Sequence, residues 1–343
     1  MGTPDNMDTC WSFRCFNCFI YYGRSDSAGV IAMKDQVVKR IVLYVVITFV
    51  LTWAYWFLIS YPLAQNTSEG IASSQMLQLS IAPAMLFPAL GVVLTRLITR
   101  EGFKNVHIAP VMFKKTWKYW LFGWLGPAVL IMVGAALYFL VNPQDFSIEQ
   151  GILAKQLEAA GGGVLSSDML QMIIVVQLLV GTFLAPLLNI FTAFGEEWGW
   201  RGYLLPHMLQ HFRVLPTLLI CGVIWGLWHA PVTILGHNYG LGYWGYPITG
   251  ILAMCVFCTV MGVFLSYLTL RSGSCIPAAL AHGGINGMVS AGMLFSVTGG
   301  SSFIGPMPTG ILAGIPFIVL AIVLAAKLAK QERNGEELMV TKL

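Results

Sequence analysis

About eight stretches of predominantly apolar residues, each near the twenty or so that a helix needs to cross a hydrocarbon layer, leave this chain few ways to fold. They fall at 41–61, 78–99, 119–141, 171–195, 215–235, 248–270, 276–296 and 310–327. Backbone groups in hydrocarbon must satisfy their own hydrogen bonds, so such runs form helices. The expected fold class is all-α: a polytopic membrane protein with about eight transmembrane helices. Charge content agrees, because 10% of the 343 residues are Asp, Glu, Lys or Arg, against about 25% in an ordinary soluble domain.

Lys and Arg set the expected orientation, since short loops rich in them stay cytoplasmic. Arg14, Arg24, Lys34, Lys39 and Arg40 precede the first run, and Arg100, Lys104, Lys114, Lys115 and Lys118 separate the second from the third. Arg213, Arg271 and the group Lys327, Lys330 and Arg333 continue the alternation, whereas 62–77, 236–247 and 297–309 contain neither residue. Lys155 is the exception. An even number of spans with both termini cytoplasmic accounts for this pattern. The formal charge of +4 then reads as anchoring to membrane lipids and not as nucleic-acid binding.

The first run is too long for a signal-peptide core and reads as a retained span. Residues 1–40 form a polar N-terminal extension, in which Met33 is an alternative start and Cys15 and Cys18 make a lone CxxC, a weak zinc signal. A three-span part at 41–141, an exterior loop at 142–170, core helices at 171–296 and a last span with its tail at 297–343 complete the expected organisation. Cys221, Cys255, Cys258 and Cys275 lie in or beside spans and read as small buried hydrophobes.

Polar residues inside spans are costly and mark function by default. Three pairs in the C-terminal half are spaced i, i+4 and so share a helix face: Glu197 with Arg201, Trp225 with His229, and His282 with Asn286. Glu196 points about 100° away from Glu197, which gives the two carboxylates different tasks, one pairing with Arg201 and the other facing a cavity. Taken singly, a structural ion pair, an interfacial histidine and an interhelical hydrogen bond explain each pair. Together they supply what hydrolysis of an amide needs: a carboxylate to take a proton, imidazoles to orient water and an amide to stabilise an oxyanion. Alternatively, Glu196, His229 and His282 are an adequate three-ligand set for catalytic zinc. Neither HExxH nor GxSxG is present. His107, His207, His211 and His237 lie in connections or at span ends and read as solvated or interfacial.

At these positions the sequence resembles the CPBP family, which groups CAAX prenyl endopeptidases of the second type with bacteriocin-processing and immunity (Abi-like) proteins. The family pattern EExxxR, FxxxH and HxxxN or HxxxD matches Glu196-Glu197-Trp-Gly-Trp-Arg201, Trp225-Gly-Leu-Trp-His229 with Trp for Phe, and His282-Gly-Gly-Ile-Asn286. The resemblance covers about 171–296. It implies an intramembrane endopeptidase with a chamber open to the cytoplasmic face, acting on a CAAX-type prenylated tail or on a bacterial peptide or membrane-protein substrate. It implies Glu196 as base, His229 as the residue orienting the attacking water, His282 and Asn286 as oxyanion donors, and Glu197 with Arg201 as a supporting ion pair. A glutamate mechanism that requires no cofactor is favoured, with zinc as the alternative.

Rival readings are a proton-coupled transporter, disfavoured because polar intramembrane groups occur only in the second half, and a non-catalytic scaffold or immunity protein. The expected location is a bacterial or archaeal plasma membrane, or the endoplasmic reticulum of a eukaryote. One tension stands: the expected boundaries place His229 deep in its span but Glu196 and His282 near span ends.

Overall fold

The computed structural model describes residues 27–66, 71–158, 161 and 166–341. The Cys15–Cys18 pair and most of the N-terminal extension lie outside the described residues. Those described form helices, with two isolated β-bridges and no strand. Helix α1 spans Ser27–Tyr55, beginning well before the apolar run at 41, and continues through a π-helical turn at Trp56–Ser60. Next come α2 (Ile71–Ile81), α3 (Phe87–Ile98), α4 (Phe113–Val141), the short α5 (Ile152–Leu157) and α6 (Ser167–Leu179). The chain then forms α7 (Ala185–Leu188), α8 (Ile190–Glu197), α9 (Leu205–Leu209), α10 (Val214–Trp228) and α11 (Ala230–Ile234). It ends with α12 (Ile248–Ser272), α13 (Ile276–Met288) and α14 (Ile311–Arg333).

Six helical segments are long and apolar enough to cross a membrane: Asp35–Leu63, Met76–Ile98, Phe113–Val141, Ser167–Leu188, Ile248–Ser272 and Ile311–Arg333. Two of the eight expected spans are shorter, with α10 at 15 residues and α13 at 13. At 1.5 Å per residue, α13 is about 20 Å long, less than the roughly 30 Å of a hydrocarbon core. It need not meet lipid at both ends, because α13 packs against α4, α7 and α8 and Pro277–Ile285 are buried throughout. The chain is a polytopic helical membrane protein.

Close helix approach depends on missing side chains. A Cβ on Gly226 would meet the backbone of Cys255, and one on Gly222 that of Thr259, so α10 lies directly against α12. At the end remote from the Lys- and Arg-rich loops, Asp145 clasps the chain together. Its carboxylate accepts hydrogen bonds from Tyr138 Oη at 2.9 Å, Ser296 Oγ at 2.7 Å, and Thr298 N and Oγ1 at 2.7 Å each. Burial alone would raise the Asp145 pKa, but these donors outweigh it and hold the carboxyl below its ordinary value.

Candidate active site

The helix carrying the two glutamates does not stop where its hydropathy falls. From Ile190 it runs through α8, a π-helical turn at Trp198–Leu204 and α9 as one rod to Leu209. Each of the π turns at Trp56–Ser60, Val180–Leu184 and Trp198–Leu204 lies just ahead of a proline: Pro62, Pro186 and Pro206. Proline has no N–H and crowds the carbonyl one turn back, and a widened turn accommodates both effects. Because the rod ends at Leu209 and α10 starts at Val214, the two form a tight antiparallel hairpin. Glu196 and His229 each lie about 20 Å from that turn, so they reach the same depth. This resolves the expected mismatch: the expected fourth span, 171–195, joins the end of one helical segment, Ser167–Leu188, to the start of the next, and the rod that begins at Ile190 runs on past Glu196 as a buried segment despite its glutamates and glycines.

Glu197 is fully buried and holds two partners on one oxygen. Its Oε1 lies 2.9 Å from Arg201 Nη1 and accepts from His282 Nδ1 at 2.8 Å. The first contact follows the i, i+4 spacing along a single helix. The second joins α8 to α13 and turns the ion pair into a three-residue bridge. Glu197 Oε2 is buried without a hydrogen-bond partner. An unmet buried acceptor costs about 1–3 kcal/mol, so this oxygen is a natural seat for water or a substrate donor.

Glu196, 2% exposed, takes no part in the Arg201 ion pair. Its Oε2 accepts a hydrogen bond from Trp225 Nε1 at 2.7 Å. The two carboxylates therefore have different partners, as their angular separation predicts. His229 closes α10, and its Nδ1 lies 2.8 Å from the carbonyl oxygen of Trp225. A carbonyl only accepts, so Nδ1 carries the proton and Nε2 of the neutral ring has a free lone pair. The Trp225 ring lies 4.1 Å from the Arg201 guanidinium and meets His282 edge-on at 5.4 Å, so all three sequence pairs contribute to one buried cluster. Asn286 stands apart: one turn beyond His282, it is exposed and has no side-chain hydrogen bond.

No group of three or more His, Cys, Asp or Glu among the described residues is disposed to hold a metal ion. Glu196 Oε2, His229 Nδ1 and His282 Nδ1 are committed to protein partners. Glu196 Oε1 and the Nε2 atoms of both histidines are the atoms left to meet a water or a metal.

The first half of the chain supports the cluster in ways the motifs do not signal. Trp228 Nε1 donates to Thr52 Oγ1 at 2.8 Å, and Trp53 Nε1 donates to the Trp228 carbonyl at 3.0 Å, fastening α1 to α10. Tyr44 packs edge-on against Trp200 at 5.7 Å. Beyond the basic end of α3, Glu101 accepts from Tyr203 Oη at 2.9 Å and lies 3.1 Å from His207 Nε2, 3.5 Å from Arg96 and 3.7 Å from Arg40. His207 is thus buried and bonded, not solvated as its place at a span end suggested. His211 is exposed, and His237 meets Gln78 Nε2 at 3.2 Å. A polar residue less than two turns beyond Arg201 on a buried rod was the available signal for His207.

A helical membrane protein with a carboxylate–histidine centre inside its bundle is the class that fold and site define. Residues 172–288 match the family described as Type II CAAX prenyl endopeptidase Rce1-like, a stretch containing all three sequence pairs. The chain is also 25% identical over 239 residues to CAAX prenyl protease 2 of Methanococcus maripaludis, which spans 69% of this chain and 79% of that protein. Over this core the chain is thus similar to type II CAAX prenyl endopeptidases.

Proposed function

We propose that this protein is an intramembrane endopeptidase that hydrolyses a peptide bond near the cytoplasmic membrane face, with Glu196 as the base. The supporting observation is the division between the carboxylates: Glu197 is tied to Arg201 and His282, while Glu196 receives one donor and keeps its other oxygen for chemistry. In this reading Glu196 takes a proton from a water whose other hydrogen is oriented by His229 Nε2. The water oxygen attacks the scissile carbonyl carbon. The developing oxyanion is met by Asn286 Nδ2 and by His282 Nε2–H in its imidazolium form, with Nδ1–H held by Glu197. Glu196 then returns the proton to the leaving amine.

The match of residues 172–288 to type II CAAX prenyl endopeptidases supports a peptide or prenylated protein as substrate, and an archaeal relative that carries the CAAX prenyl protease name favours a prenylated C-terminal tail. The test is cleavage of quenched fluorescent peptides, prenylated and unprenylated, by detergent-solubilised wild type and Glu196→Ala, with and without a strong chelator. Cleavage lost in the variant and indifferent to chelator supports the glutamate mechanism. Loss with chelator, restored by zinc, assigns the three groups to a metal instead. A folded wild type that cleaves neither peptide class moves the reading to a scaffold.

A further inference from the structure

Trp225 touches a charged or titratable member of every pair in the site. Its Nε1–H reaches Glu196 Oε2 at 2.7 Å, its carbonyl accepts from His229 Nδ1 at 2.8 Å, its ring lies 4.1 Å from the Arg201 guanidinium, and its edge meets His282 at 5.4 Å. The side chain is 4% exposed, so none of these contacts competes with bulk water. The phenylalanine in the resembled pattern would retain the ring contacts and has no N–H to offer. An indole N–H donates and cannot accept, so its bond to Glu196 has one polarity.

We infer that Trp225 is a positioning residue for Glu196: its indole N–H pins one carboxylate oxygen and presents the other to the water. This rests on the reading of Glu196 as the base. A glutamate side chain has three rotatable bonds, and burial alone does not choose among its rotamers. Of the polar contacts on Glu196, the indole bond is the one that fixes its Oε2. Misplacing a reacting group by about 1 Å costs on the order of 100-fold in rate, so a single pin has kinetic weight without touching substrate.

The test replaces the N–H and keeps the ring. Trp225→Phe retains an aromatic face for Arg201, and site-specific incorporation of 3-benzothienylalanine keeps the full bicyclic shape with sulfur where the N–H stood. The expected result for both is a fall in kcat of about 10-fold or more, with KM changed less than about twofold, as for loss of a hydrogen bond to a charged group. Infrared difference spectra on each protein, with the Glu196 carboxylate band assigned through Glu196→Gln, should show that band shifted by loss of the donor. The infrared reading needs no turnover, so it tests the pin even where Glu196 is not the base. An unshifted band, or the benzothienyl protein turning over at the wild-type rate, would overturn the inference. Activity surviving in Glu196→Gln would instead remove the underlying reading of the base.

Discussion

Glu197 and His282 meet through a 2.8 Å hydrogen bond across 85 residues of chain, and this contact draws α13 onto the glutamate helix. It also commits His282 Nδ1, leaving Nε2 as the ring atom that can face a substrate. The oxyanion role proposed for His282 therefore depends on Glu197 holding the ring, an arrangement in which a carboxylate sets the orientation of an imidazole.

Removing one member of the buried ion pair should cost far more stability than a surface substitution. Arg201→Ala leaves the fully buried Glu197 carboxylate with His282 as its remaining partner, and the loss expected for breaking such a buried ion pair is about 3–5 kcal/mol. Thermal unfolding in detergent should show it as a large fall in Tm. Exchanging the charges with Glu197→Arg and Arg201→Glu should recover part of what either single reversal loses. A double variant no better than the worse single one would argue against direct pairing.

Asn286→Ala should separate chemistry from stability. The residue is exposed and makes no side-chain hydrogen bond, so Tm should stay within about a degree of wild type, as for a surface change. If its amide stabilises the oxyanion, kcat falls by about 100- to 1,000-fold. Unchanged turnover would remove Asn286 from the proposed mechanism.

Glu101 predicts an acid-sensitive clasp. Burial would raise its pKa, but the hydrogen bond and charge of His207, with Arg96 and Tyr203, hold the carboxyl below its ordinary value. A carboxyl whose folded pKa is depressed stabilises the fold above its unfolded value near 4.3, and that stabilisation fades as pH falls through the lower folded value. Glu101→Gln should therefore lower Tm at pH 7. The gap between variant and wild type should narrow as pH drops below about 4. A gap that stays constant with pH would mean that the charge of Glu101 contributes nothing.

Gly226→Ala should push α10 away from α12, because the new methyl meets the Cys255 backbone, which has no rotamer to relieve it. Overpacking of this kind costs about 1–3 kcal/mol. Gly226 sits one residue after Trp225 in the same turn, so peptide cleavage should fall together with Tm. Tolerance of alanine, with both measurements unchanged, would show that the helices can separate slightly without disturbing the cluster.

The helical class and the pairing of Glu197 with Arg201 were legible because hydropathy and the 3.6-residue period act locally. That Glu196 and Glu197 take different partners also followed from adjacency alone. The break at Asn189 and the course of the rod that follows it were not legible. A buried rod containing two glutamates, an arginine and several glycines reads as a connection on any hydropathy scale, although its neighbours cover it. His207 was misplaced for the same reason, since its partner Glu101 lies about a hundred residues earlier in the chain.

Sequence by itself determined that this chain fills a membrane with helices and places three polar pairs on helix faces, because both properties depend on residues within a turn or two of one another. The tertiary structure decided which partner each polar atom takes. It joined His282 to Glu197, gave the Trp225 N–H to Glu196, brought His229 to the depth of Glu196 through the hairpin, and left Asn286 open. Such choices depend on how rigid helices pack at glycine contacts and bend around prolines, and hydropathy along a single helix carries no record of the neighbour across the gap.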